Sequence, residues 1–134
     1  MADTIQLEIV TPDRMIVSDS ADEVQIPGTS GYLGILPGHA PLITEISVGE
    51  ISYRRANETK HIAVAWGFAE VLPEKVTILA ESAERAADID VARAQADKER
   101  AEARIKQGGP ELDYKREEDA LRRAQTRIDV AGKK

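Results

Sequence analysis

The sequence predicts an α+β chain in two parts: an N-terminal antiparallel β-sandwich of about nine or ten strands over residues 1–83, then a C-terminal α-helical hairpin over residues 84–134. Three observations carry this division. Residues 1–83 hold 12 Asp and Glu against 5 Lys and Arg, a balance of −7, whereas residues 84–134 hold 12 against 13, a balance of +1. Every aromatic except Tyr114, and most of the Val, Ile and Leu, lie in the first part, so the core belongs there. After Ser82 the apolar period changes from two residues to between three and four.

The strands follow at short spacing. Ile5, Leu7 and Ile9 alternate with Gln6, Glu8 and Val10, the period of a strand with one buried face. Thr11-Pro12-Asp13-Arg14 is a turn, its proline presetting φ at the second position, and Met15-Ile16-Val17 returns. Val24 and Ile26 mark a strand that leads through Pro27 and Gly28 into Gly31-Tyr32-Leu33-Gly34-Ile35-Leu36-Pro37-Gly38-His39-Ala40-Pro41-Leu42. That stretch threads apolar residues through three glycines and two prolines, so a strand here must bend and restart, as at a sheet crossing or an edge. It is either a plain corner of the sandwich or a contact surface. Ile43 with Ile46, Ile51 with Tyr53, His61 to Trp66, Phe68 to Leu72 and Val76 to Leu79 complete the series, Gly67 interrupting between two of them.

Val91, Ala94, Ala101 and Ile105 recur at three, seven and four, one narrow helical stripe, and Asp88 or Asp90 is placed to cap its free amides. Gln107-Gly108-Gly109-Pro110 stops that helix. Asp113 can cap a second helix with the stripe Tyr114, Leu121, Ala124 and Ile128, and the two form an antiparallel hairpin. A contact face made mostly of alanine yields little at about 25 cal/mol per Å², so the hairpin is expected to be weakly held and able to move.

Composition excludes several functions. A net charge of −6 repels DNA and anionic lipid, so neither a nucleic-acid partner nor direct membrane insertion is expected. No apolar run approaches the ~20 residues that cross a bilayer, and Met-Ala-Asp-Thr-Ile-Gln lacks the pattern of a leader, so a soluble, unprocessed chain is expected. Without cysteine there is no disulfide framework or thiolate metal site, and His39 and His61 have no HExxH spacing, so no metal is expected. Neither a P-loop nor a GxGxxG fingerprint is present. His39 reads as a loop or interface histidine, and no catalytic residue or enzyme activity is assigned.

Arginine is the informative constellation. Arg93, Arg100 and Arg104 repeat at plus seven and plus four, as do Arg116, Arg123 and Arg127, so each trio occupies one helical face at ~100° per residue. Solvated helix surface accounts for such faces, with Asp119–Arg123 and Glu118–Arg122 expected as i, i+4 pairs. Guanidinium geometry also suits phosphate, which makes a polyphosphate the natural ligand to test.

The stretch Gly31 to Leu42, read as G-x-L-G-I-L-P-G-H-A-P-L, resembles the epsilon subunits of bacterial F-type ATP synthases. The resemblance continues in order through Trp66-Gly67-Phe68-Ala69-Glu70-Val71, Val76 to Ala80, Ala83-Glu84-Arg85-Ala86, Ile89-Asp90-Val91-Ala92-Arg93-Ala94 and Leu121-Arg122-Arg123-Ala124. It implies a central-stalk rotor part, peripheral on the cytoplasmic face of the cell membrane, that couples the gamma subunit to the membrane ring of c subunits in proton-driven ATP synthesis. It also implies inhibition of ATP hydrolysis by a movable hairpin that reaches the catalytic beta and alpha subunits. Gly31, Tyr32, Gly38 and His39 would then form an interface with gamma or the ring. No cofactor is implied, but ATP enters as a regulatory ligand: the family motif I/L-D-x-x-R-A matches Ile89 to Ala94, and the implied site is Glu84, Asp90, Arg93, Ala94, Arg100, Arg116, Arg123 and Arg127. Two positions depart from the family pattern, Tyr32 where many members carry a carboxylate and Trp66 where many carry a small residue. The competing class is a stand-alone nucleotide-sensing or adaptor protein with a β-body and a helical arm.

Overall fold

Alternation at the N-terminus produces a half-buried strand, β1 (Ile5–Val10), whose Ile5, Leu7 and Ile9 are fully enclosed. In the computed structural model, which describes residues 4–133, it is followed by β2 (Met15–Ala21), β3 (Glu23–Gly28), β4 (Gly31–Ile35), β5 (Leu42–Ile46), β6 (Gly49–Arg55), β7 (Glu58–Val71) and β8 (Lys75–Arg85). Hydrogen bonds order them β2-β1-β8-β7-β5-β3-β4, with β6 beside β3 and β7. The strands wrap one core in which Ile26, Ile51, Ile62 and Ile78 join the β1 row.

Two features differ from expectation. The sandwich is antiparallel at every pairing except β1 with β8, where Leu7 lies opposite Val76 and Ile9 opposite Ile78 in parallel register. First and last strands share no connecting loop, so no hairpin turn dictates their direction. Eight strands stand where nine segments read as strands, because β7 runs unbroken through Gly67. Gly67 has φ 145°, and a Cβ there would lie 1.9 Å from the Leu79 carbonyl oxygen, so the missing side chain lets β8 stay paired with β7 on both sides of this point, from Ile62 to Val71.

The Tyr53 hydroxyl donates to Asp19 Oδ2 at 3.0 Å and ties β6 to β2. Burial first, and this bond second, push the tyrosine up to about 12, so the hydroxyl stays protonated. Burial acts to raise the Asp19 carboxyl, but the Tyr53 hydroxyl, the Ser20 amide, Arg55 and Lys60 outweigh it and hold the group below its usual value. A carboxyl depressed in the folded state stabilises above its unfolded pKa, and the contribution disappears as pH falls below about 4. Asp19→Asn is therefore expected to flatten the acid limb of stability below about pH 5, read from urea unfolding at a series of pH values. An unchanged acid limb contradicts this.

Beyond a 3-10 turn at Ala86–Asp88 come α1 (Val91–Gln107) and α2 (Tyr114–Ala131). Asp90 and Asp113 cap them, each carboxylate accepting from the amide three residues on, Arg93 and Arg116, at 3.1 Å. Ala94, Ala101 and Ala124 are buried where the helices meet. Val91 and Tyr114, expected in the stripes, are exposed because each is the first residue of its helix, at the end of the contact. The hairpin lies folded on the sandwich through α2: Val130 and Ala131 pack with Ala63, Ala86 and Ile89, and Lys133 Nζ donates to Glu50 Oε1 at 3.0 Å. α1 packs chiefly on α2.

Candidate functional site

Small side chains at Ala101, Ala120 and Ala124 let α1 and α2 approach closely, and the long side chains beside them roof a cleft of about 220 Å³. Arg100 and Arg104 of α1 and Arg116, Arg123 and Arg127 of α2 line it, with Asp97 and Glu117 between them. The seven-and-four spacing is what brings the two arginine rows to the same side of the helix pair.

The guanidinium groups are held in different ways. Arg127 makes a two-point contact with Glu84 of β8, Nε to Oε1 at 2.6 Å and Nη2 to Oε2 at 3.2 Å, and lies 3.6 Å from Asp97 of α1. It thereby joins the sandwich to both helices. Arg100 pairs with Asp97 at 3.3 Å and Arg104 with Glu117 at 3.1 Å. Arg116 and Arg123 have no carboxylate partner among the described residues. The Arg123 guanidinium instead lies over the Trp66 ring, 5.5 Å from its centroid. Five guanidiniums thus face three carboxylates, Glu84, Asp97 and Glu117, and the surplus is cationic. Glu117 is buried, and its Oε2 has no hydrogen-bond partner.

Not every expected residue reaches the cleft. Asp90 is engaged in capping α1, Ala94 is enclosed in the helix contact, and Arg93 projects into solvent from the first turn. The expected Asp119–Arg123 and Glu118–Arg122 pairs are absent: Asp119 pairs with Lys115 at 3.7 Å and Arg122 at 3.8 Å, and Arg123 turns to Trp66. Asp97, Glu117 and Trp66 belong to the site without having been singled out for it. The acids carried a faint signal, because Asp97 stands three residues before Arg100 and Glu117 directly after Arg116, whereas nothing in the spacing links Trp66 to α2.

The second group of expected residues lies on the edge strand β4 and the loop after it. Gly31 and Tyr32 are exposed, and the Tyr32 hydroxyl accepts from the Glu50 amide at 3.0 Å. Gly38, at φ 88°, donates its amide to the Pro73 carbonyl at 2.8 Å, which pins the loop to the turn between β7 and β8. His39 Nδ1 bonds the Ala40 carbonyl at 2.6 Å. Nearby on the outer sheet face, Phe68 and Leu79 are cross-strand neighbours, both exposed, beside a cleft of about 690 Å³ also lined by Val10, Ile46 and Trp66.

Comparison with known proteins agrees with this two-part architecture. Residues 4–86 match the family model described as the β-sandwich domain of the ATP synthase delta/epsilon chain, and residues 87–132 match the long α-helix domain of the same chain. An ATP synthase epsilon chain from Koribacter versatilis is 68% identical over 111 residues, covering 83% of this chain and 78% of that one. ATP synthase epsilon chain 2 from Syntrophotalea carbinolica is 45% identical over 134 residues, covering 99% and 97%. In fold, the chain matches one from the Euglena gracilis mitochondrial ATP synthase structure of OSCP, F1 and c-ring, with TM-score 0.81 at 22% identity, covering 94% of this chain and 80% of that one. It also matches one from the Tetrahymena thermophila central stalk and c-ring structure, with TM-score 0.56 at 14% identity and coverage of 96% and 94%. No helix among the described residues is long and apolar enough to cross a membrane. With both parts matched in order by one family and by full-length relatives, the chain belongs to the delta/epsilon family of ATP synthase chains, as an epsilon-type, non-catalytic subunit.

Proposed function

We propose that this epsilon chain is a rotor part of the central stalk that couples gamma to the ring of c subunits and restrains ATP hydrolysis through its hairpin, with ATP as a regulatory ligand of the helix pair. The observation that carries the regulatory part is the cationic cleft, which exists only while α1 and α2 lie side by side. An extended hairpin reaching the alpha and beta subunits would take the two arginine rows apart. A polyphosphate bound between them therefore favours the folded-back form in proportion to its differential affinity, by about 2.7 kcal/mol at 100 times its dissociation constant. Arg116 and Arg123 offer donors with no carboxylate on them, Arg100 and Arg127 can exchange carboxylate for phosphate, and Arg93 is available from the first turn of α1.

The rotor part is supported by the exposed apolar face. Ile43, Phe68 and Leu79 lie uncovered on β5, β7 and β8, an arrangement that suits contact with gamma, while β4 and the His39 loop face gamma or the ring. Gly34 is the position at which to test that edge. A residue at Gly38 would be strained at φ 88°, whereas a Cβ at Gly34 meets nothing within 4 Å. Gly34→Arg is expected to weaken assembly with gamma and the ring about tenfold or more, roughly 1.4 kcal/mol, with the thermal midpoint of the isolated protein unchanged. Equal assembly in reconstitution contradicts the interface. For the function as a whole, affinity purification from the native cell is expected to recover the synthase subunits. Recovery of none, with the complex assembled in cells lacking this chain, overturns the reading.

A further inference from the structure

Trp66 stands where the sandwich reaches the helix-pair groove. It has φ 50° in the middle of β7, an uncommon conformation for a bulky side chain and one that persists only where its surroundings hold it. The indole lies under Arg123 and lines, with Arg116, Asp119 and Arg123, a cleft of about 420 Å³. That cleft shares Arg116, Ala120 and Arg123 with the guanidinium groove, so the two are continuous along α2.

The geometry holds Arg123 differently from its neighbours. Arg100, Arg104 and Arg127 direct N–H edges at carboxylates, which a ligand has to displace. A guanidinium held over an aromatic ring, with no carboxylate on it, keeps its N–H donors free for a bidentate acceptor. The cation–π contact also restricts a long, flexible side chain before any ligand arrives, which lowers the ordering cost of binding.

We propose that Trp66 is a positioning residue for Arg123: the indole fixes the guanidinium at the mouth of the groove with its donor edge open, so that the sandwich completes the polyphosphate site. The proposal rests on the groove being such a site. It adds a coupling, because Arg123 has its platform only while α2 lies on β7. Anion affinity is thereby linked to the folded-back hairpin, and the undocked helices lose the positioned donor.

The test is calorimetric titration of ATP and of inorganic tripolyphosphate into the full chain, its Trp66→Ala, Trp66→Phe and Arg123→Ala forms, and the Trp66→Ala/Arg123→Ala double variant. Hydrogen exchange of α2 reports docking in each. Removing an exposed cation–π contact is expected to weaken both ligands about two- to fivefold in Trp66→Ala, with Trp66→Phe between it and the wild type. In the Arg123→Ala background, Trp66→Ala is expected to cause no further loss, which separates positioning from a general structural effect. Trp66→Phe keeps a ring at the site and serves if the alanine form folds poorly. Wild-type affinity in both Trp66 variants, or an equal loss with Arg123 already absent, overturns the role of Trp66 while leaving the groove. Absence of binding by the wild-type protein overturns the groove and this role together.

Discussion

Gly67→Ala is expected to lower the thermal midpoint by about 15 °C or more, corresponding to a loss of about 4 kcal/mol. The added Cβ would lie 1.9 Å from the Leu79 carbonyl oxygen and 2.9 Å from the Ala80 Cα, and both obstacles are backbone of the neighbouring strand. No side chain can swing aside, and φ 145° is a conformation that alanine does not share. Relief requires β7 and β8 to part where they cross the core, losing ladder bonds around Phe68–Leu79 and the burial of Ala69 and Ile78 beside them. A fall of that size is a large fraction of ordinary domain stability. Gly34→Ala is the control, since nothing lies within 4 Å there, and it is expected to leave the midpoint in place. A Gly67→Ala protein melting within a few degrees of wild type contradicts the account of β7 as one continuous strand.

Arg127→Ala is expected to loosen the hairpin and weaken polyphosphate binding at the same time. Among the described residues Arg127 is the one side chain that pairs with both the sandwich and α1, through Glu84 and Asp97, and it is largely enclosed. Hydrogen bonds between charged groups at such a site contribute about 2 kcal/mol net, roughly a 30-fold change in the ratio of docked to undocked hairpin. Removal also leaves two carboxylates without their shared cation beside the groove, which disfavours an incoming phosphate. Both effects act in one direction. Faster amide exchange in α2, weaker ATP binding and stronger inhibition of hydrolysis at a given ATP concentration are expected together. An α2 that exchanges as in wild type contradicts the anchoring role of the Glu84–Arg127 pair.

The sequence reveals what is local and periodic. The β1 alternation, both aspartate caps and the arginine rows all depend on contacts within a few residues, and the structure contains each of them. What it conceals depends on chain segments distant in sequence. The parallel β1–β8 pairing joins the two ends of the sandwich, and the passage of β7 through Gly67 is decided by the approach of Leu79. In the site, periodicity places Arg100, Arg104, Arg116, Arg123 and Arg127 around one groove, while Glu84 meets Arg127 only because α2 folds back over β8. Trp66 is farther still from legibility, being a strand residue whose contact is 57 positions along the chain. The expected Asp119–Arg123 pair fails for the same reason: the helix alone offers the carboxylate, and the sandwich offers an aromatic face instead.

A polyphosphate held between α1 and α2 is expected to keep the hairpin folded on the sandwich. Titration of ATP into the isolated full chain, with hydrogen exchange of α2 followed in the same samples, tests it most directly. One site per chain, saturating below millimolar ATP with slower exchange along α2, is the predicted result. No heat at millimolar ATP from a protein whose hairpin is docked would contradict it, and would leave only the proposed stalk role of the epsilon chain.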